Sequence, residues 1–184
     1  MPLEDSWGAL AELVAAGQLR TIGLSGVRPA EVEVAQKIHP VAAVQNELSI
    51  FFRDDELVDW TARNGVMLVA YASLGRGLLA GRFTSPDDLD EDDMRRMLSR
   101  LAEPHLAANL AIVDGVRAVA RRHDATLAQV ALAWVLAQGG HVVPIAGLKR
   151  PEYLVENLKA TAVTLTAEDL AEIAALPVAS GDPL

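Results

Sequence analysis

Cysteine is missing entirely from the 184 residues. That absence excludes disulfides, zinc–thiolate sites and thiol nucleophiles. Aromatic residues are scarce, at 4%. No apolar run approaches the ~18 residues of a membrane span. The start, MPLEDSWGAL, has no basic region leading into an apolar one, so it does not read as a secretory signal. A cytoplasmic setting is the expectation. Positive charge is also in deficit, with a net charge of −9. Non-specific nucleic-acid binding needs a basic surface and is disfavoured. Any phosphate bound here must be met by a local cluster of cations.

What is present is a hydrophobic fraction of 51% against 22% charged residues, the balance of a globular chain. The length fits one domain over residues 1–184. Helical spacing of apolar residues marks 3–16, 29–38, 54–64, 110–123, 126–138, 151–160 and 166–176. Short apolar runs at 20–25, 41–46, 66–73 and 141–147 read as strands. The third, VMLVAYAS, is apolar throughout, as expected of a strand buried on both faces. Residues 177–184 read as a loose tail, and the acidic stretch PDDLDEDDMRR as a solvated loop. The order is a helix followed by four strand–helix units, which implies an α/β fold with a parallel sheet. GLSGVRPAEVEVA (23–35) and PIAGLKRPEYLVEN (144–157) share one plan: strand, small residues, a cation before proline, helix. Repeated βα units suggest a TIM-type (β/α) barrel, yet eight strands in ~250 residues make a whole one, and only four are found.

GRGLLAG (75–81) follows a strand but is one residue too long for the Rossmann fingerprint, and no clean helix opens from it. The four histidines show no metal-ligand spacing and are expected at the solvent; the three tryptophans are expected in the core. No serine has a nucleophile elbow. Polar residues gather at the C-terminal strand ends: Ser25, Gln45 with Asn46, Tyr71 with Ser73, and Gly147 with Lys149 and Arg150. In a parallel barrel those ends share the ligand-binding face. A strand that ends in Gly147, with two cations before a proline-led helix, looks suited to an anion.

Five stretches, in order, resemble the aldo-keto reductase family: 2–25, VAAVQNELS (41–49), GVMLVAYASLGRGLLAGRF (65–83), TLAQVALAWVLAQ (126–138) and VVPIAGLKRPEYLVENLKA (142–160). The resemblance implies a (β/α)8 barrel that reduces carbonyls with NADPH, and it covers only the C-terminal half of that barrel. It also assigns roles. Gly147, Lys149 and Arg150 would hold the adenosine 2′-phosphate, and Glu156 and Asn157 the adenine. Tyr71 would stack under the nicotinamide, with Gln45 and Ser25 at its amide. Ala72, Ser73, Leu74 and Arg82 match the pyrophosphate loop. Tyr153 stands where the family often has arginine or glutamine, Gly26 where it often has asparagine, and Ser73 where proline is frequent. The family's catalytic aspartate, tyrosine, lysine and histidine belong to the half that is not matched, so no catalytic residue is assigned. Three readings follow: a reductase polypeptide inactive by itself, a non-catalytic NADP(H)-binding or regulatory module, or a fragment of a longer reductase. Four strands cannot close a barrel. The expected partner is a second copy or a complementary half-barrel, with Val44, Leu68 and Val143 lining the open face. A carbonyl substrate would follow only from a completed barrel.

Overall fold

The computed structural model describes residues 1–182. Its elements run α1 (Leu3–Ala15), β1 (Gly23–Ser25), α2 (Pro29–Gln36), β2 (Ala43–Glu47), α3 (Asp55–Asn64), β3 (Met67–Tyr71), α4 (His105–Arg122), α5 (Leu127–Leu136), β4 (Val142–Pro144), α6 (Pro151–Leu158) and α7 (Ala167–Ala174). The four strands form one parallel sheet in the order β1-β2-β3-β4. None of the helices among the described residues is long and apolar enough to cross a membrane.

Local chemistry sets the boundaries. Asp54 caps α3 by accepting from the Leu57 N–H at 3.0 Å, and Gly65 ends it at φ 65°, a left-handed conformation that costs glycine little. Thr126 with Gln129, and Thr166 with Asp169, form the capping boxes of α5 and α7. α2 and α6 echo one another: each has arginine at the N-cap and proline at the first helical position.

Register divides the strand residues between two faces. Val44 pairs with Leu68, and Leu68 with Val142. All three are buried beneath the helices, with Ala70 and partly buried Leu24. Trp7, Trp60 and Trp134 join that core as expected. The opposite face carries Ser25, Gln45, Glu47, Met67, Val69, Tyr71 and Val143, and Ile145 follows β4. Met67, Val143 and Ile145 there are 46%, 42% and 42% exposed.

Several expectations change. Val44 and Leu68 face the helices and do not line the open face; of the three residues named, only Val143 does. Alternation gives two parities, and the apolar composition of these strands did not say which parity meets the helices. For the same reason β3 is buried on one face, not two. The acidic stretch PDDLDEDDMRR, expected as a solvated loop, buries Leu89 and belongs to a series of 3₁₀ turns over 75–101, in which Leu78, Leu79, Phe83 and Leu101 are also driven into the core. Arg96 pins it by donating to the Pro86 and Leu89 carbonyls at 2.9 and 2.6 Å. α4 begins five residues earlier than its apolar spacing suggested, because Leu106 and Asn109 already pack.

The tail is tied down over 177–182. Ser180 and Asn109 exchange two hydrogen bonds, and the Asp182 N–H donates to Ser99 Oγ at 2.9 Å. Pro183 and Leu184 lie outside the described residues. The histidines are half-buried and not fully solvated. His105 meets Ser180, His123 meets Asp169, and His141 meets Thr61 and the Val58 carbonyl. No group of three candidate metal ligands occurs among the described residues.

Candidate cofactor cleft

At the C-terminal ends of β3 and β4 the chain leaves a cleft of about 860 Å³. One wall follows β3: Ala72, Ser73, Leu74, Arg76, Gly77, Ala80 and Arg82. A second follows β4 and enters α6: Ile145, Ala146, Gly147, Lys149, Tyr153 and Asn157. The third comes from the 3₁₀ segment, with Asp90, Asp92, Asp93, Met94 and Arg95.

The first wall requires unusual backbone. Ala72 and Arg76 have φ 53° and 56°, in the left-handed region that L side chains avoid. Gly75 shares it at φ 55°, where a Cβ would lie 2.7 Å from the Phe51 ring. The turn is held by the Gly75 N–H donating to the Ala72 carbonyl at 2.7 Å. Ser73 is fully buried, and its hydroxyl donates to the Ala70 carbonyl at 2.9 Å. Its side chain thus serves the turn.

Arg82 crosses to the second wall. Its guanidinium lies 3.7 Å from the centre of the Tyr153 ring and 3.5 Å from the Glu156 carboxylate. A cation stacked on an aromatic face beside a carboxylate is a platform on which a planar ring could also stack. Arg150 is exposed and stands 6.0 Å from the same Tyr153 ring, but it does not line the cleft.

The echo between α2 and α6 now has a chemical reading. In α2 the residue three after the N-cap is Glu31, whose carboxylate accepts from the Arg28 N–H at 2.8 Å. An anion already occupies that helix start. In α6 the corresponding residue is Tyr153, and the carboxylate of the first turn, Glu152, stands one residue before it. The helix end itself contributes less than expected: Pro151 has no N–H, and the Tyr153 N–H is spent on the Arg150 carbonyl at 3.1 Å. Lys149 and Arg150 add exposed positive charge beside that helix start.

The third wall was not read from the sequence as part of a site. Arg95 Nε approaches both oxygens of Asp93, at 2.9 and 3.1 Å, and Arg95 Nη1 donates to the Arg76 carbonyl at 3.2 Å. The Arg95 guanidinium, then its backbone N–H, hold the Asp93 carboxyl down at about 2. Lys149, on the second wall, contributes the smallest part of that lowering. The cleft is thus lined by cations and ionised carboxylates together. The available signal was Asp93 two residues before Arg95, an Asx-type turn.

Ser25, Gln45 and Tyr71 are not cleft-lining. They sit on the open sheet face at the ends of β1, β2 and β3, with Ser25 Oγ donating to the Gln45 carbonyl at 3.0 Å. Beside them lies a buried ion pair that sequence reasoning missed: Arg100 Nη1 to Glu47 Oε1 at 3.0 Å. Glu47 stands in register opposite Tyr71. Arg100 comes from a segment with no periodic signal, so nothing local announced the pair. Asn46, the other strand-end amide, bridges the Val27 backbone and serves structure.

Residues 1–177 match the Aldo/keto reductase family. The chain belongs to that family. Among curated members, aldo-keto reductase str7 of Strobilurus tenacellus is 38% identical over 187 residues, covering 99% of this chain and 56% of the relative. Aldo-keto reductase yakc [NADP(+)] of Schizosaccharomyces pombe is 39% identical over 177 residues, covering 94% of this chain and 52% of the relative. Among solved structures, the glycerol dehydrogenase AKR11B4 of Gluconobacter oxydans superposes with a TM-score of 0.86 at 25% identity, over 96% of this chain and 54% of that one. The thermostable aldo-keto reductase Tm1743 gives 0.74 at 32% identity, over 96% and 56%. The chain therefore spans about half the length of the relatives it matches. Its parallel α/β sheet is the sheet of an aldo-keto reductase TIM barrel.

Proposed function

We propose that this chain is the NADP(H)-holding half of an aldo-keto reductase-type oxidoreductase that reduces aldehydes or ketones, and that alone it binds the cofactor without turnover. The observation that carries the reading is the cleft: four cations, Arg76, Arg82, Arg95 and Lys149, surround a space at the C-terminal strand ends. Arg82 packed on Tyr153 gives the adenine a planar surface, with Glu156 and Asn157 beside it. Gly147, Lys149 and Arg150 face the 2′-phosphate. The backbone of Ala72, Ser73 and Leu74, with Arg82, takes the pyrophosphate. Tyr71 offers its ring to the nicotinamide, next to Gln45 and Ser25.

The cofactor supplies the hydride; the protein must supply a proton to the carbonyl oxygen. No acid is assigned to that task in this chain, which is why binding without turnover is expected. The name of the fission yeast relative carries NADP(+), and the two cations at the start of α6 give the same preference a physical cause here.

Titration calorimetry with NADPH and NADH tests the reading. Lys149 and Arg150 are exposed, so each contact is worth roughly 1 kcal/mol, below the usual range for hydrogen bonds to charged groups. Together they give NADPH an advantage of about 30-fold, which the double alanine variant should remove. Equal affinity for both cofactors in the unaltered protein would refute the assignment. Reduction of an aldehyde panel that vanishes in Tyr71→Phe would overturn the expectation of silence and make Tyr71 the acid.

A further inference from the structure

We infer that residues 180–182 act as a strap that holds the first wall of the cleft in its strained shape, with Asn109 and Gly181 as positioning residues. The wall needs such support. Ala72, Gly75, Arg76 and Gly77 all have positive φ, at 53°, 55°, 56° and 106°. Backbone of that kind persists where the surrounding structure over-determines it. On the cleft side Arg95 braces the turn, with Nη1 donating to the Arg76 carbonyl at 3.2 Å. On the other side the turn rests on residues 98–101. Phe51, Gly75, Arg76, Leu98, Arg100 and Leu101 close around a gap of about 10 Å³. The Phe51 ring fills the place of a Gly75 Cβ, which would stand 2.7 Å from it. Packing this tight transmits displacement, so the wall keeps its shape while the 98–101 turn keeps its place.

That second turn is a single 3₁₀ turn, Ser99–Leu101, and 180–182 fixes it from outside. Asn109 is the joint. It is fully buried, and its Nδ2 donates to the Arg100 carbonyl at 2.9 Å and to the Ser180 carbonyl at 3.0 Å. Its Oδ1 accepts from the Ser180 N–H at 2.8 Å. A buried amide engaged at both ends is costly to disturb. Arg100 Nε donates to the Gly181 carbonyl at 3.4 Å, and the Asp182 N–H to Ser99 Oγ at 2.9 Å. Gly181 crosses at φ 89°, where a Cβ would stand 2.8 Å from the Arg100 backbone nitrogen. The strap therefore lies directly on the Arg100 main chain. Arg53 fixes its approach by donating to the Ile173 and Ala174 carbonyls, at the end of α7, at 2.7 and 2.9 Å. Contacts run without a break from 180–182 through Asn109 and Arg100 to Gly75 and Arg76. If the strap served only general stability, loosening it would have no selective effect on the wall.

Native-state hydrogen exchange on the full chain reads the wall directly, through the Gly75 and Gly77 amides that donate to the Ala72 and Leu74 carbonyls. Gly181→Ala should speed both amides about tenfold, and Asn109→Ala at least as much. Gly65→Ala puts similar left-handed strain at the end of α3, in open space, and should leave both within about twofold. Unchanged exchange in Gly181→Ala overturns the proposal, and so does equal acceleration in Gly65→Ala. Calorimetry measures the consequence for binding, and this part alone rests on the cofactor reading. NADPH, whose pyrophosphate meets 72–74 in that reading, should bind Gly181→Ala about fivefold more weakly. Adenosine 2′,5′-bisphosphate, which lacks the pyrophosphate bridge, should stay within about twofold. Equal losses for both ligands would overturn the positioning role. If the unaltered chain binds neither, the cofactor reading falls and the exchange result decides the strap by itself.

Discussion

Replacing Arg100 by methionine tests the reasoning about the buried ion pair. The Arg100 and Glu47 side chains are 7% and 4% exposed, with the charged atoms 3.0 Å apart. At an effective dielectric of about 20, two unit charges at that separation attract by roughly 5 kcal/mol, and much of this offsets the cost of taking both from water. The net value of the pair is therefore small. The cost of breaking it is not, because Arg100→Met leaves the Glu47 carboxylate buried without its cation, a change that costs about 3–5 kcal/mol. Arg100 Nε also donates to the Gly181 carbonyl, so the tail loosens with it. For a domain whose total stability is ~5–15 kcal/mol, this is a large fraction. At a urea slope of about 2 kcal/mol/M the midpoint should fall by roughly 2 M. The double variant Glu47→Leu/Arg100→Met replaces both charges with apolar groups and should recover most of the loss. A single-variant cost below about 1 kcal/mol would refute the reasoning, and so would a double variant equal to the sum of its parts.

Three further outcomes are expected. Asp169 is held well below the usual carboxylate range, first by the Arg122 guanidinium and then by the Thr166 backbone N–H and the His123 ring. The unfolded chain thus binds this proton more readily than the native one, so the contribution is complete above pH ~5 and is lost as pH falls through ~4 and below; Asp169→Asn should flatten the acid limb of a melting profile, and an unchanged limb would contradict this. Gly75→Ala should cost roughly 1–3 kcal/mol in urea unfolding, because its φ is 55° and its Cβ would strike Phe51; a neutral effect would show that the turn can relax. Thr126→Ala should cost about 1 kcal/mol by removing the α5 cap while Thr126→Ser retains most of it, and a serine as damaging as the alanine would locate the effect elsewhere.

The sheet order was legible because each strand is a short apolar run followed by a helix with an ordinary cap. Gly65, Thr126 and Thr166 stand where the chain turns or starts a helix, and local chemistry is enough to place them. The cleft was half legible. Ala72, Ser73, Leu74, Arg82, Gly147, Lys149, Tyr153 and Asn157, all singled out in the sequence, line it, and Glu156 joins through Arg82. Arg95, Asp93 and Arg100 were not visible, because they lie in 3₁₀ turns whose positions depend on distant anchors. Arg100 is placed by Glu47, which is 53 residues away. No window of local sequence contains both. The two faces of the sheet were mis-assigned for a different reason. When both parities of a strand are apolar, the pattern has no sign, and only the packed helices supply one.

The two ends of the proposed cofactor site therefore stand on different footing. The adenosine end is built from 72–82, 90–95 and 145–157, segments that brace one another through Arg82 on Tyr153 and Arg95 on the Arg76 carbonyl. Nothing in that bracing calls on a residue outside this chain. The proposed nicotinamide end is the open sheet face, where Ser25, Gln45 and Tyr71 end their strands beside the buried Glu47–Arg100 pair. A ring laid on Tyr71 in the isolated chain would keep one face wet, and a hydride at that face would compete with water for orientation. The proposed adenosine end is thus braced from three sides within these residues, whereas the proposed nicotinamide end is a single sheet face.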